Sequence, residues 1–263
     1  MRQPQTLIKN ILNISIQKLS TSFQFDDNPS IIDELVSNNK FIREINCQIQ
    51  TNDIFITREF TSIYQFYVYR NLLYYLIRQI KPKIVVETGV FHGLTTAWIL
   101  QALMDNKSGR LISIDLPRRD WNIHMGSRDF GPGGEEEKEE LKNEEPGWIV
   151  PDYLRDNWEL ILGPSEIELQ KVIKENQNPD IFIHDSDHSY ETMKFECEYI
   201  RKKSPKSLLV IDDYNVNNYT YELLIKGSYD HILMDDVGSG NQIVSSSAFL
   251  KPNFVRFFDE SVH

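Results

Sequence analysis

The stretch Asp180-Ile181-Phe182-Ile183-His184-Asp185-Ser186-Asp187-His188 closes a short apolar run with two histidines and two aspartates. A second apolar run, 207–212, closes with Asp212 and Asp213. Carboxylates at the ends of apolar runs cost free energy unless they find a partner. If the two runs are neighbouring strands, their tips lie ~4.8 Å apart and bring Asp185, Asp212 and Asp213 into one crevice. Three carboxylates that close repel one another unless a cation lies between them or some hold protons. An all-oxygen set of this kind suits magnesium, with manganese or calcium as alternatives. His184 adjoins Asp185 and so faces the other side of the strand, which makes it structural. Asp187 reads as a cap for a helix beginning near Ser189.

The elements that must position these groups are legible from periodicity. Short β-branched runs at 83–88, 111–115, 158–162, 180–185 and 207–212 alternate with helical segments at 93–105, 165–175 and 189–203. Such alternation predicts βαβ units and a parallel sheet covered on both faces. Two further strands, near 229–235 and 242–250, are joined by Gly238-Ser239-Gly240. That link is too short for a crossover helix, so the last pair is expected to be antiparallel. Before the sheet, Ile63, Phe66, Tyr67, Leu73, Leu76, Ile77 and Ile80 recur at helical spacing, with Arg70 breaking the stripe and Pro82 ending it. Trp98 and the tyrosines of 64–75 read as core. Residues 1–60 are weakly patterned and read as short helices and loops.

Composition narrows the class. A net charge of -11 argues against nucleic acid as the main partner. Two distant cysteines make neither a disulfide framework nor a zinc site and fit a reducing cytoplasm. No run approaches the ~20 apolar residues of a membrane helix, and the basic N-terminal start is not expected to be a signal peptide. Residues 117–150 interrupt the alternation with Pro117, Gly131-Pro132-Gly133-Gly134 and the run EEEKEELKNEE. This insertion reads as a solvated surface segment or a lid.

The first strand runs into Glu87-Thr88-Gly89-Val90-Phe91-His92-Gly93-Leu94-Thr95. Gly89 permits a sharp turn, Gly93 a close approach of helix and ligand, and the helix start offers amides to a polar group. The spacing is neither G-x-G-x-x-G nor a nucleotide-triphosphate loop. Asp115, ending the next strand, suits the two hydroxyls of a ribose, or else a turn. His92, inside the loop, is a candidate cofactor contact.

Together, E-T-G-x-x-x-G-x-T, the acid ending the second strand, GWIVPDYLRDNWELILGPSEI, IFIHDSDHSYE and LLVIDDYN resemble class I S-adenosylmethionine-dependent methyltransferases, in particular methyltransferase domain 24. The resemblance covers roughly residues 80–250. It implies a Rossmann-like, seven-stranded, mostly parallel sheet with an antiparallel last strand. Residues 1–60 would add an N-terminal helical cap, and 61–263 would form the methyltransferase domain with 117–150 inserted. By the resemblance, Glu87, Gly89, Gly93 and Thr95 line the methionine end of the cofactor, Asp115 holds the ribose, and the Gly163-Pro164-Ser165 turn sits beside the adenine. Metal-dependent O-methyltransferases place acids where Asp185, Asp212 and Asp213 stand. His188 takes the place of the general-base lysine of the catechol enzymes, three residues after the first metal acid. An imidazole, titrating near pH 6.5 when unperturbed, is suited to taking a hydroxyl proton.

The expected activity is methyl transfer from S-adenosylmethionine to an oxygen of a small molecule or natural product, assisted by Mg2+. Two rival readings are metal-independent methylation of a carboxylate on a peptide or acid, and cofactor binding without catalysis. The helix 61–80 offers a surface for a homodimer, and one of Tyr214, Asn215 and Asn217 is expected to touch the acceptor.

Overall fold

A computed structural model of the chain describes residues 4–51, 68–117, 145–175, 178–225, 229–237 and 243–252. The expected helix from Thr61 begins, within the described residues, at Val68, and residues 118–144 of the insertion lie outside them.

Three helices come first: α1 (Pro4–Phe23), α2 (Ser30–Ser37) and α3 (Asn39–Thr51). At 20 residues α1 is longer than the short pieces expected of this region. Its buried residues Leu12, Ile16, Leu19 and Phe23 keep helical spacing despite the polar residues between them, so one narrow stripe is enough to seat it. Helix α4 (Val68–Ile80) follows, and β1 (Ile84–Thr88) begins after Pro82.

The alternation then proceeds as expected: α5 (Leu94–Asn106), β2 (Arg110–Asp115), β3 (Trp158–Leu162), α6 (Ser165–Lys174), β4 (Ile181–His184), α7 (Tyr190–Lys203) and β5 (Leu208–Asp212). A short helix not expected from sequence, α8 (Tyr219–Ile225), precedes β6 (Tyr229–Val237) and β7 (Ile243–Pro252). The strands form one seven-stranded sheet in the order β3-β2-β1-β4-β5-β7-β6. All pairs among the first five strands are parallel, and β7 runs antiparallel to both β5 and β6.

Alternate strand residues go to opposite layers, as a pleated strand requires. Val85, Ile183, Leu208 and Val210 pack with α1, α4 and α5, whereas Val86, Phe182, Leu209 and Ile211 pack with α6, α7 and α8. The helices before β1 therefore share a continuous core with the sheet. Among the described residues no helix is long and apolar enough to cross a membrane.

Two features of this frame decide the chemistry. The strand order reverses at β1, which has β2 on one side and β4 on the other, and open α/β sheets bind ligands at such a reversal. In the β4–β5 ladder His184 stands beside Ile211. One step further along, Asp185 and Asp212 leave the two strands side by side.

The turn after β1 is packed to backbone contact. Gly89 adopts φ +84°, and a Cβ there would lie 1.8 Å from the Asp185 carbonyl oxygen. Only glycine allows the β1 turn to lie against the end of β4 in this conformation. Gly89→Ala is expected to cost about 2–4 kcal/mol from combined backbone strain and overpacking. Urea unfolding would show this as a lower midpoint, and an unchanged midpoint would mean that the contact relaxes freely.

Candidate active site

The loop from β1 to α5 is held from two sides. From β2, Asp115 accepts the Val90 and Phe91 amides through Oδ2, at 3.0 and 2.8 Å, and the Leu116 amide through Oδ1. From the end of the insertion, Gly147 N donates to Phe91 O and Ile149 N to His92 O, at 2.9 and 3.0 Å. Trp148 Nε1 donates to His92 Nδ1 at 3.0 Å. His92, expected at the cofactor, is thus a buried acceptor for Trp148, in the nitrogen-bonded tautomer that leaves its proton on Nε2. Gly93, expected to admit a ligand, makes its close approach to Gly147 and Val150 instead. The sequence did not single out Trp148; its signal is an aromatic donor next to a glycine at the end of the insertion.

Beneath the loop lies a buried chain of hydrogen bonds. Trp158 Nε1 donates to Ser113 Oγ (2.9 Å), and Ser113 Oγ donates to Glu87 Oε2 (2.7 Å). Thr96 Oγ1 donates to the same oxygen at 2.9 Å. Glu87 is fully buried, and its Oε1 finds no hydrogen-bond partner among the described residues. Burial pushes its carboxyl up to about 8, with Asp115 adding to the rise and the Ser113 and Thr96 hydroxyls opposing it.

The acids at the strand tips come together as their register requires. One ligand atom each from Asp185, His188 and Asp212 lie within 4.8 Å of one another. Ser247 Oγ donates to Asp212 Oδ1 at 3.0 Å from the antiparallel strand β7. Asp213, expected as the third carboxylate beside them, has left the strand with φ +47°. Its Oδ2 stands 3.6 Å from His188 Nδ1, and Asp185 Oδ1 stands 3.8 Å from His188 Nε2. The left-handed backbone swings residue 213 round so that its carboxylate meets the imidazole. Burial, followed by the charges of Asp212 and Glu87, pushes the Asp185 carboxyl well above the usual carboxylate range; Arg70 pulls it the other way.

That influence of Arg70 marks a wall of the site supplied by α4. Arg70 Nε donates to Thr95 Oγ1 at 3.1 Å. Tyr69 is buried, and burial together with the charges of Asp212 and Asp185 pushes its hydroxyl well above the ordinary phenol range. Sequence reasoning took Tyr69 for core and Arg70 for a break in the stripe. A cation interrupting an apolar helical face was the available signal.

Behind the site, His184 does face the opposite layer. Its Nδ1 donates to Glu196 Oε2 of α7 at 2.7 Å, with both side chains fully buried. Thr88 Oγ1 donates to the same Glu196 oxygen at 2.6 Å, and Ser186 Oγ to Oε1 at 2.9 Å. Burial raises the Glu196 carboxyl, but the charge and hydrogen bond of His184, with hydroxyls of Ser165 and Thr88, outweigh it and hold the group below its usual range. Ser165, expected beside an adenine, therefore directs its hydroxyl to Glu196. The His184 ring also packs edge-on against His188, with centroids 5.6 Å apart. Ser189 is the N-cap of α7, accepting the Thr192 amide, and Asp187 braces that cap by accepting from the Ser189 and Thr192 hydroxyls. Of the polar residues after Asp213, Asn217 donates to the His188 carbonyl and accepts the Tyr219 amide.

Comparison with known proteins bears on the fold and on part of the chain. A family model described as a methyltransferase domain matches residues 86–214. No curated protein matches the chain. Among solved structures, an O-methyltransferase from Bacillus cereus in complex with SAH superposes with a TM-score of 0.51 at 18% identity, covering 80% of this chain and 90% of that one. TomG from Streptomyces achromogenes, an O-methyltransferase of tomaymycin synthesis in complex with SAM, gives 0.48 at 15%, covering 85% and 96%. SAH-bound methyltransferase PaMTH1 from Podospora anserina gives 0.49 at 12%, covering 79% and 87%. At 18% identity, the likeness to the first of these is one of fold.

The Glu87 environment has a thermodynamic signature. Between the ordinary carboxylate range and pH 8, the folded chain holds a proton on Glu87 that the unfolded chain has released. Stability therefore falls as pH rises through that window, by up to about 1.4 kcal/mol per pH unit from this group. Glu87→Gln keeps an acceptor for Ser113 and Thr96 and removes the titration. The difference in unfolding free energy between variant and wild type should shift in the variant's favour from pH 5 to pH 8. Parallel curves would show that Glu87 is ionised in the folded state.

Proposed function

Residues 86–214 being a methyltransferase domain, we propose that the protein transfers a methyl group from S-adenosylmethionine to an oxygen of a small-molecule or peptide acceptor, with a divalent cation assisting. The observation that supports this reading best is the convergence of Asp185, His188 and Asp212 at the carboxyl edge of the sheet, beside the β1 turn.

The residues fit both groups. The β1 turn approaches β4 so closely that only glycine fits, which leaves the loop shaped for a ligand at the strand reversal. S-adenosylmethionine supplies a methyl already activated as a sulfonium. The chain's task is to hold the acceptor oxygen in line with it, which is where most of the acceleration arises. Asp185 and Asp212 are hard oxygen donors suited to Mg2+ or Mn2+. A cation held there supplies Lewis acidity that lowers the pKa of an acceptor hydroxyl. His188 receives the acceptor proton at Nε2, while Asp213 faces Nδ1 and orients the ring. The new C–O bond forms as the C–S bond breaks, and the bonding pair stays on sulfur. The observed separations of 3.6 and 3.8 Å tighten once a substrate excludes water, as general-base contacts commonly do.

This reading makes the acceptor electrically neutral at its hydroxyl and the protein's net charge of -11 unfavourable to nucleic acid. Methyl-labelled donor incubated with the protein and a pool of phenolic and sugar acceptors should yield labelled product, lost on chelation and restored by Mg2+ or Mn2+. Asp212→Asn should reduce turnover at least about 100-fold, and His188→Ala about 10²–10⁴-fold. Turnover that survives both chelation and His188→Ala would point instead to an acceptor that is already an anion, a carboxylate.

A further inference from the structure

We infer that Arg70, acting with Thr95, is the seat for the α-carboxylate of the methionine moiety of S-adenosylmethionine, contributed by a helix that lies before the matched segment 86–214. The inference rests on the cofactor reading above and deepens it.

The placement follows from how α4 and α5 pack. They run side by side in the same direction, joined in order by Arg70 to Thr95 (3.1 Å), Trp98 to Asn71 (3.1 Å), Tyr74 to Asp105 (2.6 Å) and Arg78 to Asn106 (3.0 Å). The first turn of α4 therefore stands beside the first turn of α5. That end of α5 follows the β1 turn, so Arg70 sits at the carboxyl edge of the sheet with the strand-tip acids. The first helical bond of α5 runs from Ala97 N to Gly93 O, and Thr95 lies in the turn it closes. Unfilled amides and the positive end of the helix dipole favour an anion at this point.

Electrostatics decide the rest. Asp185 has the carboxyls of Asp212, Glu87 and Asp213 as neighbours, and Arg70 is the cationic group that acts on it in the opposite sense. Such a crevice suits a sulfonium and an ammonium, and a carboxylate is better placed beside a guanidinium than beside the strand-tip acids. A free amino-acid moiety brings both signs. Its carboxylate is accommodated where a guanidinium fork, a hydroxyl and a helix start converge, and that place is Arg70 with Thr95. Residue 70 lies outside the matched segment 86–214, so this group comes from the helix that precedes it.

The test compares S-adenosylmethionine with decarboxylated S-adenosylmethionine, which keeps sulfonium, amine and nucleoside. Calorimetric titration of wild type should show tighter binding of the carboxylated donor by about tenfold or more. Arg70→Met should weaken that donor by a similar factor and bind the decarboxylated one at least as tightly as wild type does. Arg70→Lys should recover part of the preference. Binding of the decarboxylated donor also shows that the variant is folded. Equal weakening of both donors would overturn the inference, making Arg70 a packing residue between α4 and α5. Unchanged binding of both donors, with a raised KM for the acceptor, would overturn it in favour of an acceptor clamp. Wild type that binds neither donor would instead overturn the cofactor reading itself, and the seat with it.

Discussion

The register of β4 against β5 is the constraint from which the rest of the site follows. With His184 beside Ile211, the next residues on both strands are aspartates, and both extend the row that faces α4 and α5. Two carboxylates at strand spacing repel in a half-buried crevice. The fold answers locally with the Ser247 hydroxyl on Asp212, the His188 imidazole between Asp185 and Asp213, and the charge of Arg70. These partners offset the repulsion only partly, and Asp185 remains pushed towards its protonated form. A cationic ligand would complete the compensation, so the tension is itself an argument for binding.

Rigidity at the strand tips comes from buried polar groups rather than from apolar packing. Glu196 accepts from four side chains and ties β1, β4 and α7 behind the site. Breaking a buried pair of this kind leaves an uncompensated charge, which makes it costly to lose and useful for fixing one geometry. Glu87 plays a different part. One oxygen accepts from Ser113 and Thr96 and the other has no partner among the described residues, and burial makes the group favour its neutral form. Two buried acids, one on β1 and one on α7, thus shift in opposite directions, because one meets an imidazole and the other meets only hydroxyls.

The site draws on helix α4, outside the matched segment, as well as on the strand tips. Helix α4 supplies Tyr69 and Arg70, and the end of the insertion clamps the β1 loop through Gly147, Trp148 and Ile149. The strand reversal is therefore completed by a helix before the sheet and by the end of a long insertion, not by the strand tips alone.

By itself the sequence determined the order of elements, the parallel sheet with its antiparallel close, and the acids at the strand tips. These depend on local periodicity and turn chemistry, and each is readable within a window of about ten residues. Packing decided what no window contains. It gave His92 to Trp148, Ser165 to Glu196, and Asp213 to His188, and it brought Arg70 to Thr95. Those pairings join residues far apart in the chain through side-chain direction and strand register. A one-residue slip in either would turn every group to the other layer, so only the folded arrangement of the layers could fix them.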